Sequence, residues 1–227
     1  MLPVFILKSL HCKLVYREVN MKNAVVFLAD GFEEIEALTP VDYLRRSGAE
    51  VFTVAVPAST MQDKYIVTGS HKIPVIADLS FDEFKIEFDS DLPDLVFFPG
   101  GMKGAENLAA DVYIAQYIKK CFDAKKIVSA ICAAPALVLA KTGILASKKW
   151  TCYPGMEQNL VQYIGSEELC TELMKNSAYV SGVPFVTDKN VVTGRGPGAA
   201  EQFAMELAAL LCGKDVADKV KTASVQR

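Results

Sequence analysis

The chain has 227 residues, a formal net charge of -3 and 51% hydrophobic residues. An acidic balance excludes a general nucleic-acid binder, which needs a basic surface, and no apolar run reaches the ~20 residues that span a bilayer. The six cysteines are scattered without a C-x-x-C pair. This pattern is typical of a protein in a reducing cytoplasm and not of a small disulfide-framed secreted protein.

Residues 1–20 do not continue the pattern of the rest of the chain. They begin with an apolar stretch, but no cationic segment precedes it and no A-x-A site follows it, and Met21 stands directly before a strand-like run. We interpret residues 1–20 as an N-terminal extension, from a misassigned start or a non-essential, disordered segment. A targeting segment and an ordered extra element are the alternatives.

From Met21 onward, strand and helix patterns alternate. Residues 24–29 form an apolar, β-branched run typical of a strand buried on both faces, and a helix follows to Ser47, with Gly48 as its C-cap. Residues 50–56 predict a second strand. Residues 65–68 and 73–77, separated by a turn, predict a hairpin.

The second half of the chain repeats this alternation. Strands are predicted at 95–98 and 127–131, helices at 112–122, 133–141 and 199–211, and a hairpin at 185–187 and 191–193. We therefore predict one α/β domain over residues 21–227, with a flavodoxin-like, doubly wound, mainly parallel sheet and helices on both faces.

Cys132 stands where a buried strand runs directly into a helix, within the sequence SAICAAP. Such a corner exposes a side chain at the carboxyl edge of the sheet, and the free N–H groups of the helix favour a thiolate. The pattern resembles a nucleophile elbow with cysteine in place of serine. A buried structural cysteine beside a helix start is the alternative.

Pro99-Gly100-Gly101 ends the neighbouring strand. Two glycines allow a close backbone approach, so the N–H groups of Gly101 and Ala133 could form an anion site that faces Cys132. A tight strand-to-helix turn without chemistry is the alternative interpretation.

Four segments in order resemble the ThiJ/PfpI superfamily, which is related to class I glutamine amidotransferase domains, and within it the branch of the parkinsonism-associated protein deglycase. They are LADGFEEIEALTPVDYLRRSG, FFPGG, SAICAAP and TGRGPGAA. The resemblance covers nearly all of residues 21–223 and implies a flavodoxin-like fold and a homodimer.

The resemblance also implies the roles of several residues. Cys132 matches the nucleophilic, easily oxidised cysteine, and Glu36 matches the glutamate that hydrogen-bonds its sulfur and moves protons. Gly101 and Ala133 match the backbone donors of the oxyanion site. The candidate pocket residues are Gly100, Tyr153, Arg195 and Arg46, for which the adjacent Arg45 is an alternative. Glu33 and Glu34 are interpreted as solvated acids of a first helical turn.

The chain departs from the family pattern at its histidines. Ala133 occupies the position that holds a histidine in the protease and chaperone-type branches, and Tyr153 stands where many deglycase-branch members have another. His11 and His71 are interpreted as surface residues. A Cys-His-Asp triad, and with it a protease or amidase, is therefore not expected.

Two classes of function remain open. The first is a stress-protective enzyme that acts on small reactive carbonyls or their protein adducts through Cys132, a glyoxalase or deglycase activity. The second is a non-catalytic redox sensor or chaperone-like protein that uses oxidation of Cys132. Cys152 could resolve a sulfenic acid or could simply pack beside Trp150; Cys121, Cys170 and Cys212 are interpreted as core residues. Neither a metal-ligand set nor a phosphate loop is visible, so we expect no cofactor.

Overall fold

A seven-stranded sheet forms the centre of the protein. The computed structural model describes residues 21–57 and 63–226, so the prediction for residues 1–20 lies outside the described residues. The strands are β1 (Asn23–Leu28), β2 (Glu50–Ala55), β3 (Ile66–Thr68), β4 (Pro74–Ile76), β5 (Leu79–Ser80), β6 (Leu95–Phe98), β7 (Ile127–Ile131), β8 (Lys149–Trp150), β9 (Ala178–Tyr179), β10 (Phe185–Asp188) and β11 (Val191–Gly194).

The order of strands in the central sheet is β10-β11-β7-β6-β1-β2-β5. Every neighbouring pair is parallel except β10 and β11, which form the predicted antiparallel hairpin. The predicted hairpin of β3 and β4 is a separate two-stranded sheet, and β8 pairs with β9 in another. The prediction of a doubly wound, mainly parallel α/β fold is confirmed.

Helices connect the strands and cover the sheet. They are α1 (Glu34–Arg46), α2 (Phe81–Phe88), α3 (Met102–Ala110), α4 (Val112–Asp123), α5 (Ala140–Thr142), α6 (Leu160–Ile164), α7 (Glu167–Asn176), α8 (Ala200–Cys212) and α9 (Lys214–Ala223). The helix predicted at 133–141 is mostly not an α-helix: a π-helical segment, Pro135–Leu139, leads directly into the short α5. Of the helices in the described part of the chain, none is both long and apolar enough to cross a membrane.

The sequence pattern missed five helices: α2, α3, α6, α7 and α9. Two of them carry a start signal that is readable in the sequence. Ser80 caps α2 in a capping box with Glu83, and the Ser166 side chain accepts a hydrogen bond from the N–H of Leu169 at the start of α7. These helices therefore begin where a side chain satisfies free backbone N–H groups.

The central strands β1, β6 and β7 are buried on both faces. Each apolar run predicted from the sequence has almost no exposed surface, and Phe27 stacks on Phe98 across β1 and β6 with ring centroids 5.0 Å apart. Because these strands are parallel neighbours, their carboxyl ends meet at one edge of the sheet. The segments that follow them carry Glu36, Gly100 and Cys132.

Candidate active site

Cys132 occupies a strained elbow at the end of β7. Its φ is +62°, in the left-handed region that non-glycine residues rarely adopt, and its N–H donates to the carbonyl of Gly194 at 2.9 Å. The residue is 9% exposed. A strained backbone that holds a cysteine at the carboxyl edge of a parallel sheet is typical of a functional position and not of a core filler.

Glu36 lies on the first turns of α1 and is completely buried. Its Oε2 accepts a hydrogen bond from the N–H of Gly100 at 2.9 Å, and its carboxyl interacts with the thiol of Cys132. Its Oε1 is buried and has no hydrogen-bond partner among the described residues. The structure thus brings together Cys132, Glu36 and Gly100, which lie far apart in the sequence.

Burial raises the pKa of the Glu36 carboxyl from 4.5 to about 8, and the charge of Glu33 adds to this effect. Hydrogen bonds from Cys132 and Gly100 oppose it but do not cancel it. Glu36 is therefore mainly protonated at neutral pH and can donate as well as accept a proton there.

The pKa of the Cys132 thiol is raised, first by burial and then by the charge and hydrogen bond of Glu36. The N–H groups of Gly101 and Ala133 lower it, as the sequence predicts, but they are outweighed. The prediction of an unusually acidic thiol is therefore wrong for this site, because burial disfavours the anion more than two backbone donors favour it. Because the charge of Glu36 raises the pKa of the thiol, the thiolate forms more readily when Glu36 is protonated.

Gly101 and Ala133 place their N–H groups at the sulfur of Cys132, where the resemblance puts the oxyanion donors. Gly101 has a φ of +83°, and an added Cβ would lie 2.2 Å from the carbonyl oxygen of Gly31. Only glycine fits there. Two backbone donors beside a thiol form an arrangement that can stabilise negative charge on a bound oxygen atom.

Gly100 separates Glu36 from Cys132. A Cβ built on Gly100 would lie 2.4 Å from Oε2 of Glu36 and 2.5 Å from Cβ of Cys132. Glycine at this position therefore allows the carboxyl and the thiol to meet across the backbone of the Pro-Gly-Gly turn. The sequence signal for this role is the first glycine of that turn.

We expect Gly100→Ala to lower the free energy of unfolding by about 1–3 kcal/mol, because Glu36 and Cys132 must move apart. Chemical denaturation measures the loss. Gly198→Ala is the matched control, since an added Cβ there meets nothing within 4 Å. Equal stability of both variants would contradict the packing described for Gly100.

Tyr153 and Arg195 lie beside the Cys132 elbow. The N–H of Tyr153 donates to the carbonyl of Cys132 at 2.8 Å, and both side chains line a groove of about 600 Å³. Gly196 and Gln202, which sequence reasoning did not single out, line the same groove. The glycine-rich RGPG segment before α8 was the signal that could have found them.

The structure does not bring Arg46 to the elbow. Arg46 is in the last turn of α1, ten residues or ~15 Å along the helix from Glu36, and its Nε pairs with Asp42 at 2.6 Å. The alternative Arg45 donates to the carbonyl of Val51 and to Asp78. Both arginines therefore stabilise the surface at the far end of α1.

Glu34 is not a solvated first-turn acid, which corrects the sequence interpretation. It is 5% exposed, its Oε1 accepts from the N–H of His71 at 2.7 Å, and its Oε2 contacts the His71 ring at 2.9 Å. Glu33 accepts from the Ser70 hydroxyl at 3.1 Å. These carboxylates hold the hairpin of β3 and β4 onto α1, because the hairpin turn presents donors to them.

Potential metal ligands come together at the same place. Ligand atoms of Glu33, Glu34 and His71 lie within 4.8 Å of one another. Hydrogen bonds from the hairpin already occupy the buried carboxylate of Glu34. We therefore interpret this cluster as a structural clamp. The His71 side chain itself is 69% exposed, in agreement with its interpretation as a surface residue.

The other cysteines among the described residues have structural surroundings. Cys121, Cys152 and Cys170 are buried and Cys212 is half-buried. Cys152 lies just beyond β8, and its Sγ contacts the carbonyl of Tyr153 at 3.4 Å. Its complete burial agrees with the structural interpretation, while a resolving role stays a prediction.

Comparisons with known proteins place this arrangement in a family. The model of the DJ-1/PfpI family matches residues 22–210. Protein dj-1beta of Drosophila melanogaster is 34% identical over 199 residues, which cover 88% of this chain and 94% of that protein. The Parkinson disease protein 7 homolog of Danio rerio is 32% identical over 201 residues, with 88% and 95% covered.

Solved structures agree with these relatives. The crystal structure of Drosophila melanogaster DJ-1beta has a TM-score of 0.77 and 30% identity, covering 92% of this chain and all of that one. The structure of oxidised Toxoplasma gondii DJ-1 has a TM-score of 0.73 and 28% identity, with 90% and 98% covered. The match over most of the chain, on a fold that places a cysteine elbow against a buried glutamate, shows that this chain belongs to the DJ-1/PfpI family.

Proposed function

We propose that the protein is a stress-protective enzyme that converts small reactive carbonyls through Cys132. One observation carries this proposal: a buried carboxyl, that of Glu36, with a pKa of about 8, lies against a cysteine in a strained elbow. A proton-transfer group is most effective when its pKa is near the working pH. No histidine among the described residues near Cys132 competes with Glu36 for that role.

The reaction follows from these groups. The minor ionised form of Glu36 accepts the thiol proton of Cys132, and the sulfur attacks the aldehyde carbon of a 2-oxoaldehyde such as methylglyoxal. The N–H groups of Gly101 and Ala133, which lie at the sulfur, can donate to the resulting oxyanion, and Glu36 returns the proton to give a hemithioacetal. Glu36, again ionised, then takes the proton from the former aldehyde carbon and delivers it to the neighbouring carbon, while the hydroxyl proton of the hemithioacetal passes to the oxygen on that neighbouring carbon. The product of this step is a thioester of lactate.

Water hydrolyses that thioester and regenerates the thiol. The overall reaction consumes one methylglyoxal and one water and releases lactate and a proton, so the aldehyde carbon is oxidised while the ketone carbon is reduced. No external oxidant, reductant or cofactor enters this balance. Protein adducts of the same carbonyls enter the same chemistry once the bond between the carbonyl carbon and the protein nitrogen or sulfur breaks, which releases the protein's amine or thiol.

The experiment is an assay of lactate released from methylglyoxal by the purified protein at neutral pH. Lactate in multiple turnovers per Cys132 supports the proposal. Consumption of methylglyoxal with only a stoichiometric adduct on Cys132 contradicts it, because a scavenger reacts once and an enzyme regenerates its thiol.

Redox sensing is the second candidate, and the protonated state of Glu36 favours it specifically. Two equivalents of peroxide convert a thiol to a sulfinate with release of two water molecules, and a protonated carboxyl can donate to a sulfinate oxygen. Intact-mass analysis after graded peroxide tests this role. Wild type should stop at two added oxygens on Cys132, whereas Glu36→Leu should stop at one or none; equal oxidation of both contradicts the contact.

We also propose that the chain forms a homodimer, as the family resemblance implies. Ile35, Ile73 and Ile76 are all more than half exposed, on α1 and on the hairpin that Glu34 holds to it. Neighbouring exposed apolar side chains are typical of a protein interface. Light scattering should give twice the mass of one chain, and Ile73→Glu should lower that mass; a monomeric wild type contradicts the proposal.

A further inference from the structure

The groove beside the Cys132 elbow is lined by residues to which the proposed reaction gives no role. It encloses about 600 Å³ and is lined mostly by glycine, proline and the ring of Tyr153. Among the described residues that line it, Arg195 is the only charged one, and Gln202 adds one polar side chain. A cationic group in an otherwise neutral groove is suited to bind an anion.

The groove adjoins the reacting atoms through Gly196. A Cβ built on Gly196 would lie 3.4 Å from the Tyr153 ring and 4.0 Å from Oε1 of Glu36. That oxygen is completely buried and has no partner in the described residues. Gly196, which lines the groove next to Arg195, is therefore also the residue that lies against the carboxyl facing Cys132.

The guanidinium of Arg195 has no ion pair or hydrogen bond within the described chain, whereas its backbone is held by a 2.9 Å hydrogen bond from its N–H to the carbonyl of Pro184. The groove also ends at Ala199, the N-cap of α8, where no side chain caps the helix. The positive end of a 13-residue helix reinforces the field of the arginine. Both features favour an anionic group such as a carboxylate.

We propose that Arg195 is a specificity-determining residue that selects carbonyl substrates carrying a carboxylate. This inference rests on the proposed function and names its substrate class: 2-oxoaldehydes with a carboxylate at the far end, such as 4,5-dioxopentanoate. Its conversion to 2-hydroxyglutarate consumes one water and releases one proton, with the same internal oxidation and reduction as for methylglyoxal. Tyr153 forms the wall along which the carbon chain lies.

The test compares kcat/KM for 4,5-dioxopentanoate and for methylglyoxal. Wild type should prefer the anionic substrate, and Arg195→Met should lower kcat/KM for it by about 10- to 100-fold while changing that for methylglyoxal less than about twofold. Arg195→Lys should recover part of the difference, because a point charge remains without the bidentate geometry. Lys214→Met is the charge-matched control, since Lys214 is exposed at the opposite end of α8.

A binding measurement separates this inference from the turnover itself. Titration of Cys132→Ser protein with glutarate should show binding that Arg195→Met abolishes and Lys214→Met retains. If glutarate binds in this way but no substrate is turned over, the anion site stands and the proposed function fails. If Arg195→Met lowers both kcat/KM values equally, or if glutarate binds all variants alike, the inference is overturned.

Discussion

Cys132→Ser should lower kcat/KM for methylglyoxal by at least about 10³-fold. A serine hydroxyl keeps the size and position of the thiol but is a far weaker nucleophile without an adjacent base. In the described residues around Cys132 the only base is Glu36, which is mainly protonated at neutral pH because burial raises its pKa to about 8. Lactate formation under saturating and limiting substrate gives the two kinetic constants separately.

Cys212→Ser is the matched control for this experiment. Cys212 is half-buried at the last residue of α8, away from the carboxyl edge of the sheet. We expect this variant to keep the wild-type kcat/KM, and the Cys132→Ser protein to keep the wild-type melting temperature within a few degrees. Substantial lactate formation by Cys132→Ser would show that another group carries the reaction.

The sequence predicts the sheet well because its strands are buried on both faces. The apolar runs at β1, β6 and β7 must be buried away from water, so their positions follow from hydrophobicity alone. The elbow is predictable for the same reason: a buried strand that runs into a helical segment leaves only a short turn, residues 132–134, between them. Cys132, the first residue of that turn, also has the strained φ expected of a nucleophile elbow.

Long-range electrostatics could not be predicted in this way. The sequence places Cys132 at a helix start, which favours a thiolate, but it does not show that Glu36 and the thiol are buried together. Glu34 is a similar case, because its burial depends on a hairpin some 37 residues later in the chain. The charge state of a residue at a helix start can therefore be assigned only when its partners from distant parts of the chain are known.

The effect of Glu36 on stability should depend strongly on pH. Its pKa is raised to about 8 in the folded protein, against an ordinary value of 4.5. Between these values the folded state binds one proton more than the unfolded state, so the free energy of unfolding falls as pH rises. The stabilising effect is complete below pH 4.5 and is lost as pH approaches 8.

The slope of this loss is about 1.4 kcal/mol per pH unit. From pH 5.5 to 7.5, wild type should therefore lose roughly 2–3 kcal/mol of unfolding free energy relative to Glu36→Gln. The glutamine amide has nearly the same shape and can accept from the N–H of Gly100, but it does not titrate. Denaturant titrations of both proteins at each pH measure the difference, in which all other titrating groups cancel.

Glu83→Gln provides the control, because the pKa of the Glu83 carboxylate is lowered in the folded protein and not raised. Hydrogen bonds from Ser80, Tyr65 and Lys64 outweigh burial and lower the pKa of Glu83 to about 2, so its contribution to stability is lost only as pH falls below 4.5. Its variant should be less stable than wild type by a constant amount between pH 5.5 and 7.5, because Glu83 stays ionised throughout that range. The free energy of unfolding of Glu36→Gln should instead rise relative to that of wild type as pH increases. Parallel stability curves for wild type and Glu36→Gln would mean that Glu36 is ionised in the folded protein at neutral pH, and that it is not the proton-transfer group of this site.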